Sequence, residues 1–401
     1  VDVIGWPSSE IVGLIRGKRG TKVTVKLLGA GAAMSQARSV TIVRDVIQEE
    51  DAGVRSRTVE ITRDGKKHVL GVVEIPSFYL NYRARRAGAD YRSVSEDTNK
   101  ALQALANKNV EGIIIDLRNN PGGSLEEVAK MLGQVIKSGP VVQIRDGNGN
   151  VSVFEDTDGG KQTYAGPLAV MINLASASAS EIYSAAIQDY GRGIVIGSTT
   201  TGKGTAQVQL DTLAHGQATL TQRKFYRVTG GSTQNKGVIP DIKLVDIYDE
   251  EFGERKARNA LVWDTIATTP FKREGEIESY IPSLSAKSKQ RVDADAQFEY
   301  LEARKMIAQV AKEQKKIVLD IDKRKAELIA LEQKTLDAEN KRRTETGKKP
   351  YPNWESYQAS MDALVESRSK IKANQRPALP EEETFVTEAA NVLLDLNHLK
   401  K

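Results

Sequence analysis

Three serines lie close together at residues 176–180, where an apolar stretch gives way to a helical pattern. Residues 167–174 are almost continuously apolar, which is typical of a buried strand, and residues 181–187 place Ile182 and Ala186 on one helical face. A hydroxyl at the start of a helix lies beside free backbone N–H groups and the positive end of the helix dipole. One of these serines is therefore a candidate nucleophile.

The same segment also has a purely structural interpretation. Ser178 and Glu181 have the Ser-x-x-Glu spacing of a capping box, in which the two side chains hydrogen-bond the backbone at a helix start. Small residues also allow a strand and a helix to pack closely. Capping and catalysis both remain open on this segment alone, and the segment 197–210 bears on the choice.

Lys203 lies between two glycines in residues 197–205, a segment whose sequence is similar to the motif of a phosphate-binding loop. That motif requires Ser or Thr directly after the lysine, and then a helix. Gly204 takes the place of the hydroxyl residue, and the alternating polar and apolar residues 205–210 are typical of a strand. The segment therefore argues against nucleotide binding.

Alternate side chains of a strand share a face, which places Lys203 and Gln207 together, with Thr205 between them. A lysine buried beside a serine can act as a general base if its pKa falls from about 10.4 toward about 7–8, and burial favours that fall. Ser–Lys pairs are an established alternative to the His-based triad. An ordinary surface lysine in a hairpin remains the alternative. The core face of this strand is predicted to carry Ala206, Val208 and Leu210.

The composition excludes several classes of protein. The 401 residues predict two to three domains, and the absence of cysteine removes thiol nucleophiles, disulfides and cysteine-ligated metals. The three histidines are far apart and lack the His-Glu-x-x-His spacing, so a zinc hydrolase is not expected. A reaction carried by a serine and a lysine would need no metal or other cofactor. The net charge of +5 is interspersed and aromatics are only 5%, so no nucleic-acid partner is expected either. The sequence contains no run of about 18 apolar residues, so no transmembrane helix is predicted.

Apolar strands alternate with helices through the middle of the chain, which predicts an α/β fold with a parallel sheet covered on both faces. Ligands of such sheets bind outside the carboxyl ends of the strands. The Pro-Gly-Gly loop at 121–123 and the serine run both lie at such ends. The predicted strands are 54–61, 69–75, 112–117, 141–144, 167–174 and 194–196, and the predicted helices are 95–107, 124–136 and 181–190.

The two ends of the chain differ from this middle part. Residues 1–47 contain a predicted strand at 1–4, a helix at 8–15 and strands at 22–27 and 40–43, an order that looks like the second half of a PDZ domain. Beyond about 245 the sequence becomes rich in charge and predicts long amphipathic helices and a last helix ending near Leu399. The predicted domains are 1–47, 48–245 and 246–401. The chain starts at Val1 without an initiator Met, which predicts a fragment or a processed product.

Several motifs in a fixed order resemble those of the C-terminal processing proteases, also called tail-specific proteases. The resemblance extends over essentially the whole chain and is closest to the bacterial periplasmic branch. Pro121 stands where many members have a third glycine, and 198–201 departs from the usual lead into Gly-Lys-Gly. The matching segments are 116–123, 176–181, 188–192, 202–207, 224–234 and 236–241.

The resemblance implies a role for each site residue. The family uses the middle serine of Ser-Ala-Ser-Ala-Ser and a lysine 25 positions later, which selects Ser178 and Lys203. Its supporting glutamine, four residues beyond the lysine, corresponds to Gln207. Its oxyanion donors correspond to the backbone N–H groups of Gly123 and Ala179.

The resemblance also implies what the protein does and where. It implies a crotonase-like core with a partial PDZ domain before it and a helical C-terminal domain after it. The expected activity is that of a serine endopeptidase with a Ser-Lys dyad, independent of ATP, that degrades or trims proteins recognised by an apolar C-terminal tail. An adaptor protein, a periplasmic location and at most peripheral membrane association are further expectations.

Two alternatives belong to other classes. A non-catalytic peptide-binding scaffold with the same core would fit the partial PDZ domain and the helical tail, but its Ser178 would not react with a serine-directed probe. A crotonase-type acyl-thioester enzyme would share the sheet and an oxyanion hole, but it would not need Lys203. The basic loop 83–92 could be a phosphate site, although a solvated loop is the simpler interpretation.

Overall fold

The computed structural model describes residues 1–28, 37–45, 53–156, 162–210, 216, 218–247, 253–313, 316–371 and 379–400. The chain forms two compact units, Val1–Asp51 and Ala52–Lys401. The predicted boundary between residues 47 and 48 lies outside the described residues.

The described residues of the first unit form one helix and a two-stranded antiparallel sheet. Helix α1 covers Ser8–Ile15, and strands β1 and β2 cover Lys22–Leu27 and Arg38–Val43. Arg44 joins the sheet to the helix, because its guanidinium donates to the Ile15 carbonyl oxygen at 2.6 Å. The helix and both strands confirm the sequence predictions.

The strand predicted at residues 1–4 is wrong, since residues 1–3 are irregular and a turn begins at Ile4. No side chain is buried among the residues of this unit whose exposure is described. Such a small unit buries little apolar surface. The identity of this piece as part of a PDZ domain stays a prediction.

The second unit contains ten strands and nine helices within the described part of the chain. Its strands are β3 (Arg55–Arg63), β4 (Lys66–Glu74), β5 (Ile113–Asp116), β6 (Pro140–Asp146), β7 (Val151–Glu155), β8 (Leu168–Ile172), β9 (Ile194–Gly197), β10 (Thr205–Leu210), β11 (Ala218–Tyr226) and β12 (Ile242–Lys243). Its helices are α2 (Tyr82–Arg86), α3 (Val94–Ala106), α4 (Leu125–Gly133), α5 (Ala179–Asp189), α6 (Ile281–Asp293), α7 (Ala296–Glu313), α8 (Ile321–Glu345), α9 (Trp354–Ser369) and α10 (Pro380–Leu399).

The larger sheet has six strands in the order β12-β9-β8-β5-β4-β3. All of its neighbours are parallel except the edge strand β3, which runs antiparallel to β4. Every residue of β5, β8 and β9 is buried, as expected for strands covered on both faces. The predicted α/β architecture with a parallel sheet and a helical C-terminal region is confirmed.

Helices pack on both faces of this sheet. Ile113 and Ile115 of β5 belong to the core beneath α3, α4 and α5, whereas Ile114 belongs to the core beneath α6, α7 and α10. The two cores therefore follow the alternation of side chains along each strand. The last helix is part of the second core, because Ala389 and Leu393 are fully buried there.

Ion pairs fasten α10 to its neighbours. Its two buried carboxylates, Glu388 and Asp395, both accept hydrogen bonds from Arg291 of α6, at 2.8–2.9 Å. Arg63 of β3 donates to Asp395 at 2.7 Å. Removing one partner would leave a buried charge unpaired, which is strongly destabilising.

A second sheet has four antiparallel strands in the order β10-β11-β6-β7. The turn predicted at 146–149 joins β6 to β7, and Asp146 organises it by accepting backbone hydrogen bonds from Asn148 and Asn150 at 2.9 Å. The sequence pattern predicted the turn but neither β7 nor this sheet. Strand β10 begins two residues after Lys203, so this sheet leads directly from the candidate site.

Candidate active site

Ser178 lies between β8 and α5, at the residue before the helix begins. Its φ of +55° and ψ of −111° are rarely adopted by residues other than glycine. Such a conformation costs on the order of 1–3 kcal/mol and persists only where the surrounding structure imposes it. Strained residues of this kind concentrate at functional sites, so Ser178 has the backbone expected of a presented nucleophile.

The neighbouring serines have structural roles instead. Ser176 and Ser180 are fully buried, and their hydroxyls donate to the carbonyl oxygens of Leu117 at 2.8 Å and Asn120 at 2.9 Å. Ser178 is half-buried, and its hydroxyl makes no helix-capping hydrogen bond. Of the three hydroxyls, that of Ser178 is the one available to a substrate.

Glu181 joins the serine segment to the lysine segment. Its buried carboxylate accepts hydrogen bonds from the backbone N–H groups of Ser178 at 2.8 Å, Gly202 at 2.7 Å and Lys203 at 2.9 Å. The Thr200 hydroxyl donates a fourth hydrogen bond at 2.6 Å. The Ser-x-x-Glu pattern predicted only a helix cap. In the structure the same carboxylate also holds the backbones of Ser178 and Lys203 close to each other.

Burial raises the pKa of Glu181 to about 7, and the hydrogen bonds from Thr200, Ser178, Gly202 and Lys203 oppose that rise. Burial disfavours the charged form, whereas donors aimed at the carboxylate favour it. The four donors leave both oxygens of the charged form satisfied.

Lys203 lies in the loop between β9 and β10, and its side chain is half-buried. Its ammonium group makes no hydrogen bond or ion pair with any described residue. The two flanking positions have no room for a side chain. A Cβ on Gly204 would lie 2.4 Å from the Gln234 backbone nitrogen, and one on Gly202 would lie 3.0 Å from the Asn235 carbonyl. Lys203 itself precedes the strand, so its predicted place within the strand is wrong.

Gln207 lies on β10 and is exposed. Its amide donates to the Thr221 hydroxyl at 3.4 Å, so the structure does not bring it to Lys203. A register shift between Ala206 and Gln207 changes the pairing of β10 with β11. The predicted core face is also wrong at Val208, which is 36% exposed, while Thr205 is buried. The prediction failed because β10 is an edge strand that extends away from the core.

The Pro-Gly-Gly loop between β5 and α4 touches the serine segment. A Cβ on Gly122 would lie 2.9 Å from the Ser178 Cβ and 3.0 Å from the Ala179 nitrogen. Gly122 and Gly123 have φ values of +99° and +145°, so both positions favour glycine. Neither the N–H of Gly123 nor that of Ala179 donates to any described residue. The Ala179 N–H directly follows Ser178, and the Gly123 N–H directly follows the glycine that contacts Ser178. Backbone donors without a partner are what an oxyanion site requires.

Asn120 holds this loop in place. Its buried side chain donates to the Ile75 carbonyl oxygen at 2.9 Å and accepts from the Gly122 N–H at 2.8 Å. Its own carbonyl oxygen accepts from the Ala177 N–H at 3.0 Å. One buried asparagine thus connects the glycine loop to the serine segment. No local sequence pattern indicates this role of Asn120; the one signal is its position directly before the Pro-Gly-Gly motif.

The described residues contain no cluster of three or more His, Cys, Asp or Glu side chains suited to a metal ion. Residues 197–205 lead into a strand rather than a helix, which is incompatible with a phosphate-binding loop. Among the helices of the described ranges, none has the length and hydropathy that crossing a bilayer requires. The arrangement combines a presented hydroxyl, free backbone donors and a nearby lysine, which are the components of acyl transfer.

Comparison with known proteins agrees with this class of site. Residues 69–244 match the family model of peptidase family S41, and residues 247–398 match the model of the C-terminal domain of tail-specific protease. The chain belongs to peptidase family S41, the family of the C-terminal processing proteases. Within it, the match of its helical region is to the tail-specific branch.

Individual relatives are also similar. The tail-specific protease of Haemophilus influenzae is 39% identical over 360 residues, which are 87% of this chain and 49% of that protein. The carboxy-terminal processing protease CtpB of Bacillus subtilis is 32% identical over 231 residues, which are 57% of this chain and 44% of that protein. The chain thus spans about half the length of these relatives. A solved structure of the photosystem II D1 C-terminal processing protease shares 26% identity over 60% of this chain and 59% of that chain, with a TM-score of 0.43.

Proposed function

We propose that the protein is a serine endopeptidase in which Ser178 and Lys203 form a catalytic dyad. The observation that carries the proposal is the Glu181 carboxylate, which binds the backbone N–H groups of both residues at 2.8 and 2.9 Å. The strained backbone of Ser178 and the free N–H groups beside it give further support. Membership of peptidase family S41 agrees with this chemistry.

In the proposed reaction, the Ser178 oxygen attacks the carbonyl carbon of the scissile peptide bond. Its proton passes to the uncharged amine of Lys203, and the N–H groups of Gly123 and Ala179 bind the oxyanion. The tetrahedral species collapses when the C–N bond breaks and the leaving amine takes the proton from Lys203. A water molecule then hydrolyses the acyl-enzyme by the same steps, which frees Ser178. Each oxyanion donor is worth about 3–4 kcal/mol in such reactions.

Gln207 is the proposed partner that orients the Lys203 amine. To do so, its side chain must give up the long 3.4 Å hydrogen bond that its nitrogen donates to Thr221. Its amide oxygen can then accept from an N–H of the Lys203 amine, whose lone pair stays free for the Ser178 proton. A hydrogen bond of that length is weak, so the exchange costs little.

The proposed substrates are proteins with an apolar C-terminal tail. Action at a C-terminal tail is supported by the names of the relatives, which are called tail-specific and carboxy-terminal processing proteases. The apolar character of the tail is the part that the family resemblance of the sequence implies. A periplasmic location and an adaptor protein that delivers substrates belong to the same proposal. No nucleotide takes part in the reaction.

The test uses Ser178→Ala and Lys203→Ala, with the exposed residues Ser279→Ala and Lys108→Ala as matched controls. The substrate is an unfolded protein with an apolar tail, next to the same protein with a charged tail. We expect both dyad variants to lose cleavage and both controls to keep it. Labelling of Ser178 by a phosphonyl probe should also require Lys203. Cleavage by either dyad variant at the parent rate contradicts the dyad.

A further inference from the structure

We propose that Gln234 is a positioning residue that holds the Lys203 loop in its working conformation, an inference that rests on the proposed function. Gln234 is fully buried. Its side-chain oxygen accepts from the Gly204 N–H at 2.8 Å, and its side-chain nitrogen donates to a carboxylate oxygen of Glu254 at 3.1 Å. Both ends of the amide are therefore engaged, one of them at the residue directly after Lys203.

The backbone around Gln234 contacts the other side of Lys203. The Asn235 N–H donates to the Gly202 carbonyl oxygen at 2.7 Å. A Cβ on Gly204 would lie 2.4 Å from the Gln234 nitrogen, so the two segments are in close contact. Residues 234–235 thus bind the loop immediately before and immediately after the lysine. Glu181 holds the loop from the serine side, and Gln234 holds it from the opposite segment.

Glu254 determines which atom of the amide faces the loop. A carboxylate accepts hydrogen bonds and cannot donate them when ionised, so it selects the Gln234 nitrogen. The oxygen must then face Gly204, whose N–H needs an acceptor. The Glu254 backbone is fixed as well, because its N–H donates to the Thr201 carbonyl oxygen at 2.8 Å. Position 254 lies in the region that matches the C-terminal domain of tail-specific protease, so that domain contributes to the lysine loop.

The decisive variant is Gln234→Glu, alone and combined with Glu254→Gln. In the single variant the carboxylate introduced at position 234 and the carboxylate of Glu254 face each other, and their repulsion should move the loop. We expect kcat to fall by roughly 10- to 100-fold, because small misplacements of a catalytic group have effects of this size. KM should change less than about 3-fold. The double variant exchanges donor and acceptor, keeps both hydrogen bonds and should restore kcat to within about 3-fold of the parent. Glu254→Gln alone keeps an acceptor oxygen and should be nearly neutral.

The pH dependence separates positioning from a loss of folding. Two carboxyl groups in contact share a proton, which raises the apparent pKa of one of them. The ratio of kcat for Gln234→Glu to kcat for the parent should therefore rise as the pH falls from 8 to 6. The same ratio for the double variant should stay constant. Glu254→Ala is a milder second variant, because Glu254 is half-buried. It leaves the Gln234 amide free to turn and should lower kcat by about 3- to 10-fold.

The control is Gln333→Glu, which opposes a carboxylate in the same way on the exposed surface of α8, where Gln333 donates to Asp337 at 2.7 Å. It should leave kcat unchanged. Parent activity in Gln234→Glu and Glu254→Ala, or a double variant no better than Gln234→Glu, would overturn the role of Gln234. If instead Lys203→Ala cleaves normally, the dyad itself is wrong. The two failures are therefore distinguishable.

Discussion

Substitution of Glu181 by glutamine tests how the serine and lysine segments are held together. Each oxygen of the Glu181 carboxylate accepts two hydrogen bonds. One oxygen receives the Thr200 hydroxyl and the Gly202 N–H at 2.6 and 2.7 Å, and the other receives the N–H groups of Ser178 and Lys203 at 2.8 and 2.9 Å. An amide has the same shape but only one acceptor oxygen. Glu181→Gln therefore can no longer accept hydrogen bonds at one of the two oxygen positions.

The structure indicates which side is lost. If the amide oxygen stays toward Ser178 and Lys203, the nitrogen faces Thr200, whose hydroxyl can accept, and Gly202, whose N–H cannot. One buried N–H then loses its partner, which costs about 1–3 kcal/mol. The opposite orientation would leave two N–H groups without an acceptor. The first orientation is therefore favoured, and the connection between Ser178 and Lys203 survives.

Activity should follow that connection. We expect Glu181→Gln to keep kcat within about tenfold of the parent, and Glu181→Ala, which loses all four hydrogen bonds, to lower kcat by roughly 100-fold or more. Cleavage of the apolar-tailed protein and the rate of phosphonyl labelling of Ser178 measure both. Equal loss in the two variants would refute the assignment of the amide orientation.

Stability should depend on pH with a definite sign. The pKa of Glu181 is raised by burial from 4.5 to about 7, so the folded state binds its proton more tightly than the unfolded state does. The resulting stabilisation is fully present below about pH 4.5 and is lost as the pH rises through about 7. That shift corresponds to about 3 kcal/mol.

Urea denaturation of the parent and of Glu181→Gln between pH 4.5 and 8 isolates this effect, because the glutamine does not titrate. The free energy of unfolding of the parent minus that of the variant should fall by about 3 kcal/mol across this range. A difference that stays constant with pH would show that Glu181 titrates at its ordinary pKa and that its four hydrogen bonds offset the effect of burial.

Two further substitutions test the geometry around the serine. Gly122→Ala should reduce kcat strongly and destabilise the protein by about 1–3 kcal/mol, because its Cβ would meet the Ala177 carbonyl oxygen at 2.7 Å and its φ is +99°. Parent-like cleavage and melting temperature would disprove that contact. Ser178→Gly should be more stable than Ser178→Ala by about 1 kcal/mol or more, because glycine adopts a φ of +55° without strain. Equal melting temperatures of these two inactive variants would show that the backbone is unstrained.

The sequence predicted the sheet well because its strands are buried on both faces. Residues 113–115 and 168–172 are continuously apolar, and this pattern has one structural interpretation when helices alternate with the strands. Local patterns also placed Ser178 at the start of α5. The position of the Gly122–Gly123 loop beside it followed from the rule that strand ends meet at one edge of the sheet.

Long-range hydrogen bonding was the part that the sequence could not reveal. The Ser-x-x-Glu spacing predicted that Glu181 caps α5, but nothing local indicates that its carboxylate also binds Gly202 and Lys203. Gln234 and Glu254 likewise form a site only after the chain folds. The predicted core face of β10 was wrong for a different reason: alternation assigns faces only where one face of a strand is buried, and the edge strand β10 is partly exposed on both.

The burial of α10 against the sheet sets an order of events during synthesis. The helix supplies Leu393 and Ala389 to the second core, and its first turns contact Arg118, whose guanidinium lies 5.3 Å from the Phe385 ring. Arg118 immediately precedes the two asparagines that lead into the Gly122–Gly123 loop. A ribosome makes residues 116–203 long before residues 380–399, so the growing chain already contains Ser178 and Lys203 while this face of its sheet is not yet covered by α10. The second core can therefore be completed only after α10 has been made.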